Sequence, residues 1–177
     1  MPTCTLHPLP YQADPAAYFA HVRHAPGAVL LDSARPSAER GRFDLLSAWP
    51  LRTLVAEADE DGLSYLQRLR EQLATLGPAH LPSGVELPFA GGLIGYLSYD
   101  FGRRLEHLPA VARDDLGLAD ASLGLYAWAL ISDHRLQTSQ LLFHPALPDA
   151  ERARLVALFE GAPAHVAGTF RLAAPMQ

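Results

Sequence analysis

Phe89-Ala-Gly-Gly-Leu-Ile-Gly-Tyr-Leu-Ser-Tyr99 is the stretch on which the fold turns. If its three glycines lay between a strand and a helix, they would cradle a dinucleotide, and the chain would be a parallel βαβ protein. Gly91, Gly92 and Gly95 lack the G-x-G-x-x-G spacing, and Tyr96-Leu-Ser-Tyr-Asp100 continues in strand character with no helical pattern behind it. The stretch therefore reads as a glycine-containing strand, where a missing side chain permits a bulge or a close backbone approach.

On the N-terminal side, Leu63, Leu66, Leu69, Leu73 and Leu76 recur at three and four residues and predict an amphipathic helix, ended by Gly77-Pro78. The acidic run Glu57-Ala-Asp-Glu-Asp-Gly62 reads as a solvated turn leading into it rather than as a metal site. Further back, residues 42–49 and 53–58 read as two strands paired antiparallel, and 28–31 as a short buried strand. Residues 34–41 read as a loop. Asp14 and Pro15 open a helix carrying Tyr18, Phe19 and Val22 as far as about His24, after a strand over 3–10.

On the C-terminal side, 122–132 and 138–144 read as a strand pair with its turn near Asp133-His134. Residues 148–160 read as a helix and 166–172 as a last short strand. Strands and helices do not alternate regularly. The expected fold is α+β, a mainly antiparallel sheet with helices packed on one face, in one domain spanning 1–177.

Composition agrees with a globular chain. Of 177 residues, 49% are apolar and 19% charged, and the net charge is −5. No basic face stands out, which argues against a nucleic-acid partner. No apolar run is long enough for a membrane helix, and the N-terminus lacks a signal-peptide pattern. The single cysteine, Cys4, excludes an internal disulfide and fits a reducing, cytoplasmic setting.

Most polar motifs lead nowhere catalytic. His21 and His24 sit three apart but have no third ligand nearby and read as surface histidines. Cys4 has no histidine at a nucleophile-pair spacing, and no G-x-S-x-G elbow exists. Leu30-Leu-Asp-Ser33 and Arg40-Gly-Arg-Phe-Asp44 are different. If the two segments pair, a serine hydroxyl, two guanidinium groups and an aromatic ring come together. Such a set suits a zwitterion such as an amino acid. Solvated arginines flanking a strand are the competing reading.

Several segments taken together resemble a known family. Leu30-Leu-Asp-Ser33, then Gly41-Arg-Phe-Asp44 and Pro50, are similar to the opening of aminodeoxychorismate synthase component I, within the wider anthranilate synthase component I family. Leu87-Pro-Phe-Ala-Gly-Gly-Leu-Ile-Gly-Tyr-Leu-Ser-Tyr-Asp-Phe-Gly-Arg-Arg-Leu-Glu106 resembles its glycine-rich strand and the turn that follows. Leu125-Tyr-Ala-Trp-Ala-Leu-Ile-Ser-Asp-His134 matches a further strand. Phe43-Asp44 and Arg103-Arg104 favour the aminodeoxychorismate branch over the anthranilate branch, which usually carries Gly-Arg-Tyr-Ser.

The resemblance implies that the chain is the N-terminal, non-catalytic half of a layered α/β sandwich, the chorismate-binding catalytic domain being absent. It implies a tryptophan-type pocket lined by Leu31, Ser33, Arg40, Arg42 and Phe43, with no catalytic and no metal-ligating residue in this chain. Mg2+ is expected in the full-length enzyme only. The implied partners are a glutamine amidotransferase component II and the chain's own C-terminal catalytic domain, with self-association of the isolated chain across an apolar sheet face. An anthranilate synthase N-terminal domain, a stand-alone amino-acid-binding module and a structural or interaction protein stay open as alternatives.

Overall fold

The computed structural model describes residues 2–33, 41–109 and 116–161. Eight strands and three α-helices follow in chain order: β1 (Thr5–Leu9), α1 (Pro15–Phe19), β2 (Val29–Leu31), β3 (Phe43–Ser47), β4 (Arg52–Val55), α2 (Gly62–Leu76), β5 (Gly92–Leu97), β6 (Ala121–Tyr126), β7 (Trp128–Asp133), β8 (Thr138–Phe143) and α3 (Asp149–Glu160). A 3-10 helix, Tyr99–Arg104, follows β5. The strands form a five-stranded sheet in the order β1-β8-β7-β3-β2 and a three-stranded sheet in the order β4-β6-β5. Every named pairing is antiparallel. The α+β, antiparallel expectation holds.

Alternation along the strands sorts the large sheet into two faces. Leu46, Ala48, Trp128, Leu130, Leu141 and Phe143 form one core with Tyr18 and Val22 from α1 and the turns after it, and with Leu155 and Phe159 from α3. The helices at the two ends of the chain thus share one face. On the opposite face, Leu45, Ala129, Ile131 and Leu142 pack with Ile94 of β5, Tyr126 of β6 and side chains of the connection between α2 and β5, such as Leu81 and Leu87. The small sheet sets Leu54 and Ala121 against Tyr65 and Leu69 of α2 and against Phe101.

Several expectations need correction. Residues 122–132 are not one strand of one sheet. The run breaks at Ala127, so that β6 serves the small sheet and β7 the large one. Strands β3 and β4 do not pair with each other. Each pairs with its neighbour on that bent run, β3 with β7 and β4 with β6. Strand β2 is an edge strand rather than a buried one, and Leu31 is 50% exposed. A short apolar run reads the same at an edge as at the centre of a sheet. Helix α1 ends at Phe19, and only turns continue toward His24. In α2 the buried stripe is Tyr65, Leu69 and Leu76, while Leu63 and Leu73 face outward. The last short strand expected over 166–172 lies outside the described residues.

The glycine-rich strand behaves as read. Gly95 lies so close to β6 that a Cβ there would stand 2.1 Å from the Ser122 carbonyl oxygen. Gly91 takes φ +104°, a backbone geometry that side chains disfavour, with the His144 ring against it. The acidic run ends in a helix cap, since Asp61 accepts hydrogen bonds from the N–H groups of Leu63 and Ser64 at 2.9 and 3.0 Å.

Candidate functional site

The two segments singled out as a possible pocket do pair. Strand β2 lies antiparallel to β3 with Leu31 opposite Leu45. Strand alternation then puts Leu31 and Phe43 on one face and Leu30 and Asp44 on the other. Past the end of β2, Ser33 turns back onto β3. Its backbone N–H and its hydroxyl both donate to Asp44 Oδ1, each at 2.8 Å.

Asp44 is the centre of a buried polar line. It is 3% exposed, and Oδ2 lies 2.5 Å from Nε2 of His134, itself 5% exposed. His134 Nδ1 stands 2.8 Å from the Tyr11 hydroxyl. The line therefore runs Ser33–Asp44–His134–Tyr11 and joins four separate parts of the chain. Burial by itself would raise the Asp44 carboxyl. The hydrogen bonds from Ser33 and His134 outweigh it and hold the group below the ordinary carboxylate value. An ionised, buried Asp44 only accepts hydrogen bonds, so His134 Nε2–H and both Ser33 groups donate to it.

Arg42 stands beside this line and is already engaged. Nε and Nη2 donate to Asp133 Oδ2 at 3.0 and 2.8 Å, and Nη1 donates to Glu86 at 3.2 Å. Its guanidinium also lies 4.5 Å from the Phe43 ring centroid. Asp133 is 2% exposed. Burial pushes its carboxyl up, but Arg42 and the N–H groups of Leu136 and Arg135 bring it below the usual range. The same carboxylate caps the β7–β8 turn through those two N–H groups at 3.1 and 2.9 Å.

Of the five residues expected to line a pocket, Leu31, Ser33, Arg42 and Phe43 gather where β2 meets β3, and Arg40 lies outside the described residues. Ser33 and Arg42 meet carboxylates of the protein itself. Sequence reasoning quoted Asp44 and His134 in motifs but gave them no role, and it missed Tyr11, Asp133 and Glu86. One signal was present: Asp44 interrupts the apolar strand Phe43-Asp-Leu-Leu46, and a carboxylate in such a strand needs a partner. Only the register reveals that the partner is His134, whose N–H donates to the Arg42 carbonyl at 2.9 Å.

His21 is half-buried rather than fully exposed. It packs against the Phe159 ring at 5.5 Å, and burial lowers its basicity. Among the described residues, no three His, Cys, Asp or Glu side chains come together to hold a metal ion. An open groove of about 490 Å3 lies elsewhere, between the end of α2 and the start of β5, and is lined by Arg70, Leu73, Gly77, Ala79, Gly91 and His144, among others. His144 Nδ1 accepts from the Ala146 N–H at 3.0 Å, and burial lowers its basicity against a hydrogen bond with the Gly77 backbone. No helix among the described residues is long and apolar enough to cross a membrane.

No family model matches the chain. It is 41% identical to aminodeoxychorismate synthase component 1 of Salmonella typhimurium over 155 residues, which is 80% of this chain and 34% of that protein. It is 38% identical to the Klebsiella aerogenes protein of the same name over 178 residues, 93% of this chain and 38% of that one. Anthranilate synthase component 1 of Mycolicibacterium smegmatis is 32% identical over 142 residues, 72% of this chain and 26% of that protein. The chain spans about a third of the length of the aminodeoxychorismate synthase relatives.

Proposed function

The chain belongs to the family of the component 1 proteins of aminodeoxychorismate and anthranilate synthases, and we propose that it is the N-terminal, non-catalytic part of an aminodeoxychorismate synthase component 1. The observation that carries the reading is its 38–41% identity to three such proteins, against 32–33% to mycobacterial anthranilate synthases over comparable lengths. In the whole protein, ammonia replaces the ring hydroxyl of chorismate, which leaves as water, and 4-amino-4-deoxychorismate forms on the way to 4-aminobenzoate and folate. The groups that contact chorismate and any magnesium ion belong, in this reading, to polypeptide outside this domain of residues 1–177. The ammonia comes from a glutamine amidotransferase component II.

Two further parts of the proposal concern this chain directly. The end of β2 forms one wall of a tryptophan-type pocket, with Ser33 as its polar contact and Leu31 and Phe43 as its apolar ones. The end of the small sheet away from Ile94 and Tyr126, where Val55 and Tyr96 are 43% and 45% exposed, is covered by the catalytic polypeptide, or by a second copy when that is lacking. The buried, unpaired thiol of Cys4 fits a reducing compartment, and we place the protein in the cytoplasm.

The direct test mixes the purified chain with the remaining two-thirds of the Salmonella relative, and assays chorismate, ammonia and magnesium for aminodeoxychorismate. Neither piece alone should turn over, and the mixture should. Turnover by this chain alone, or a mixture no better than the C-terminal piece, would sink the proposal.

A further inference from the structure

The chain carries a net charge of −5, yet the groove between the end of α2 and the start of β5 presents a cation and no anion. Arg70 lines it together with the apolar side chains of Leu73, Pro78, Ala79 and Ala90, and no carboxylate of the described residues does. Arg70 is exposed and, among the described residues, makes no hydrogen bond, ion pair or ring contact. A different open hollow on α2 is the opposite case. Glu60 and Glu71 line it, and its cation, Arg68, is held by both oxygens of Glu60. Glu71, the acid next to Arg70 in sequence, belongs to that hollow and accepts from Gln67 Nε2 at 3.1 Å.

The floor of the groove adds no competing charge. His144 is 3% exposed and lies against Gly91, where a Cβ would stand 2.9 Å from the ring. Its Nδ1 accepts from the Ala146 N–H at 3.0 Å, so the ring is neutral with its proton on Nε2, and that proton is committed to the Gly77 backbone. The last carbonyls of a helix disfavour an anion. Here the Ala74 carbonyl already accepts from the Gly77 N–H at 3.2 Å. Arg70 lies nearly two turns before the end of α2, and a helical side chain leans toward the N-terminus, so its donors stand away from those carbonyls.

We infer that this groove is a binding site for a small aromatic carboxylate, whose anionic end pairs with the Arg70 guanidinium while its ring lies along the apolar walls. An open guanidinium offers a carboxylate two parallel hydrogen bonds, and a mostly apolar hollow with one convergent polar group suits a small ligand of that kind. The site is separate from the end of β2 and does not rest on the synthase reading.

The test titrates three probes into the isotope-labelled 177-residue chain at fixed ionic strength and reads the amide signals of residues 70–79 and 89–92. The probes are benzoate, benzamide, which keeps the ring without the charge, and acetate, which keeps the charge without the ring. Benzoate should shift these signals along a saturable curve with a Kd of about 1–10 mM, and leave residues 29–33 unmoved. Benzamide and acetate should each bind at least about fivefold more weakly. Arg70→Gln should bring benzoate down to the level of benzamide, whereas Arg70→Lys should keep part of the difference. Ala74→Leu narrows the groove and should weaken benzoate and benzamide alike. Both positions are exposed on the helix, and an unchanged circular dichroism spectrum shows that each variant is folded. Benzoate no tighter than benzamide or acetate, an unchanged benzoate affinity in folded Arg70→Gln, or no saturable shift at up to about 20 mM overturns the inference.

Discussion

Asp44 and His144 show how single buried groups tie this chain's stability to pH. Asp44 and Asp133 are held below the ordinary carboxylate value of 3.8. A group with a lowered folded pKa adds stability that is fully present above its unfolded value and is lost as pH falls through the folded one. His144 is lowered from 6.5 by burial, so the unfolded chain takes up a proton that the folded chain resists. Stability should then decline in two stages on acidification. The first begins below about pH 6.5 and carries the signature of His144 together with that of His21. The second begins below about pH 4 and carries that of the two aspartates. Urea midpoints from pH 8 to pH 3 check this: His144→Gln should flatten part of the first limb and Asp44→Asn part of the second. An unchanged profile in both variants would show that these groups are not the source.

At the scale of elements, the glycine-rich strand is the most exacting part of the fold. Strand β5 pairs with β6 from Gly92↔Tyr126 to Leu97↔Ala121, and Gly95 sits opposite Leu123. A methyl group at Gly95 would meet backbone atoms at 2.1 and 2.6 Å, which no side-chain rotation relieves. Gly95→Ala should destabilise the chain by about 1–3 kcal/mol, with strand pairing rather than helix content affected. Urea denaturation followed by circular dichroism measures it, and a loss under about 0.5 kcal/mol would mean β5 does not approach β6 as described. The helices depend on different physics. Helix α2 is opened by the Asp61 cap and held by Tyr65, whose hydroxyl donates to the Leu54 carbonyl at 2.8 Å. Its neighbour Arg68 donates to both carboxylate oxygens of Glu60, at 2.8 and 2.6 Å, which ties the acidic turn to the helix it precedes. That turn was legible as a turn because a run of acidic side chains disfavours burial and a glycine breaks a strand. The helix was legible by period, but not by face: Leu63 and Leu73 match the spacing and still point outward, because Tyr65 fills the core position instead.

For the molecule as a whole, the expectation of one bare sheet face changes place. The large sheet is covered on one side by α1 and α3 and on the other by side chains of the small sheet and the α2–β5 connection. On the small sheet, Val55 and Tyr96 are exposed at one end of the face whose other end, at Ile94 and Tyr126, packs on the large sheet, and β4 and β5 are the edge strands of the small one among the described residues. If this face meets further polypeptide in the longer relatives, the isolated chain should self-associate. Light scattering should show a mass that rises with concentration, and Tyr96→Lys should lower it. A constant monomer mass over a hundredfold range of concentration would remove self-association from the proposal.

By itself the sequence determined the element types, the antiparallel class and the family, because hydrophobic period, caps and glycine spacing are local properties that one stretch of chain carries alone. It also marked the strand end at Asp32-Ser33 and the following Arg40 to Phe43 as chemically unusual. Tertiary structure alone decided that residues 121–133 bend between two sheets, that β3 and β4 part company across them, and that Asp44 meets His134, itself bonded to Tyr11, rather than solvent. Those facts depend on which strand lies beside which. Pairing over ninety residues of separation is settled by burial and register across the whole molecule, and leaves no mark on either segment read separately.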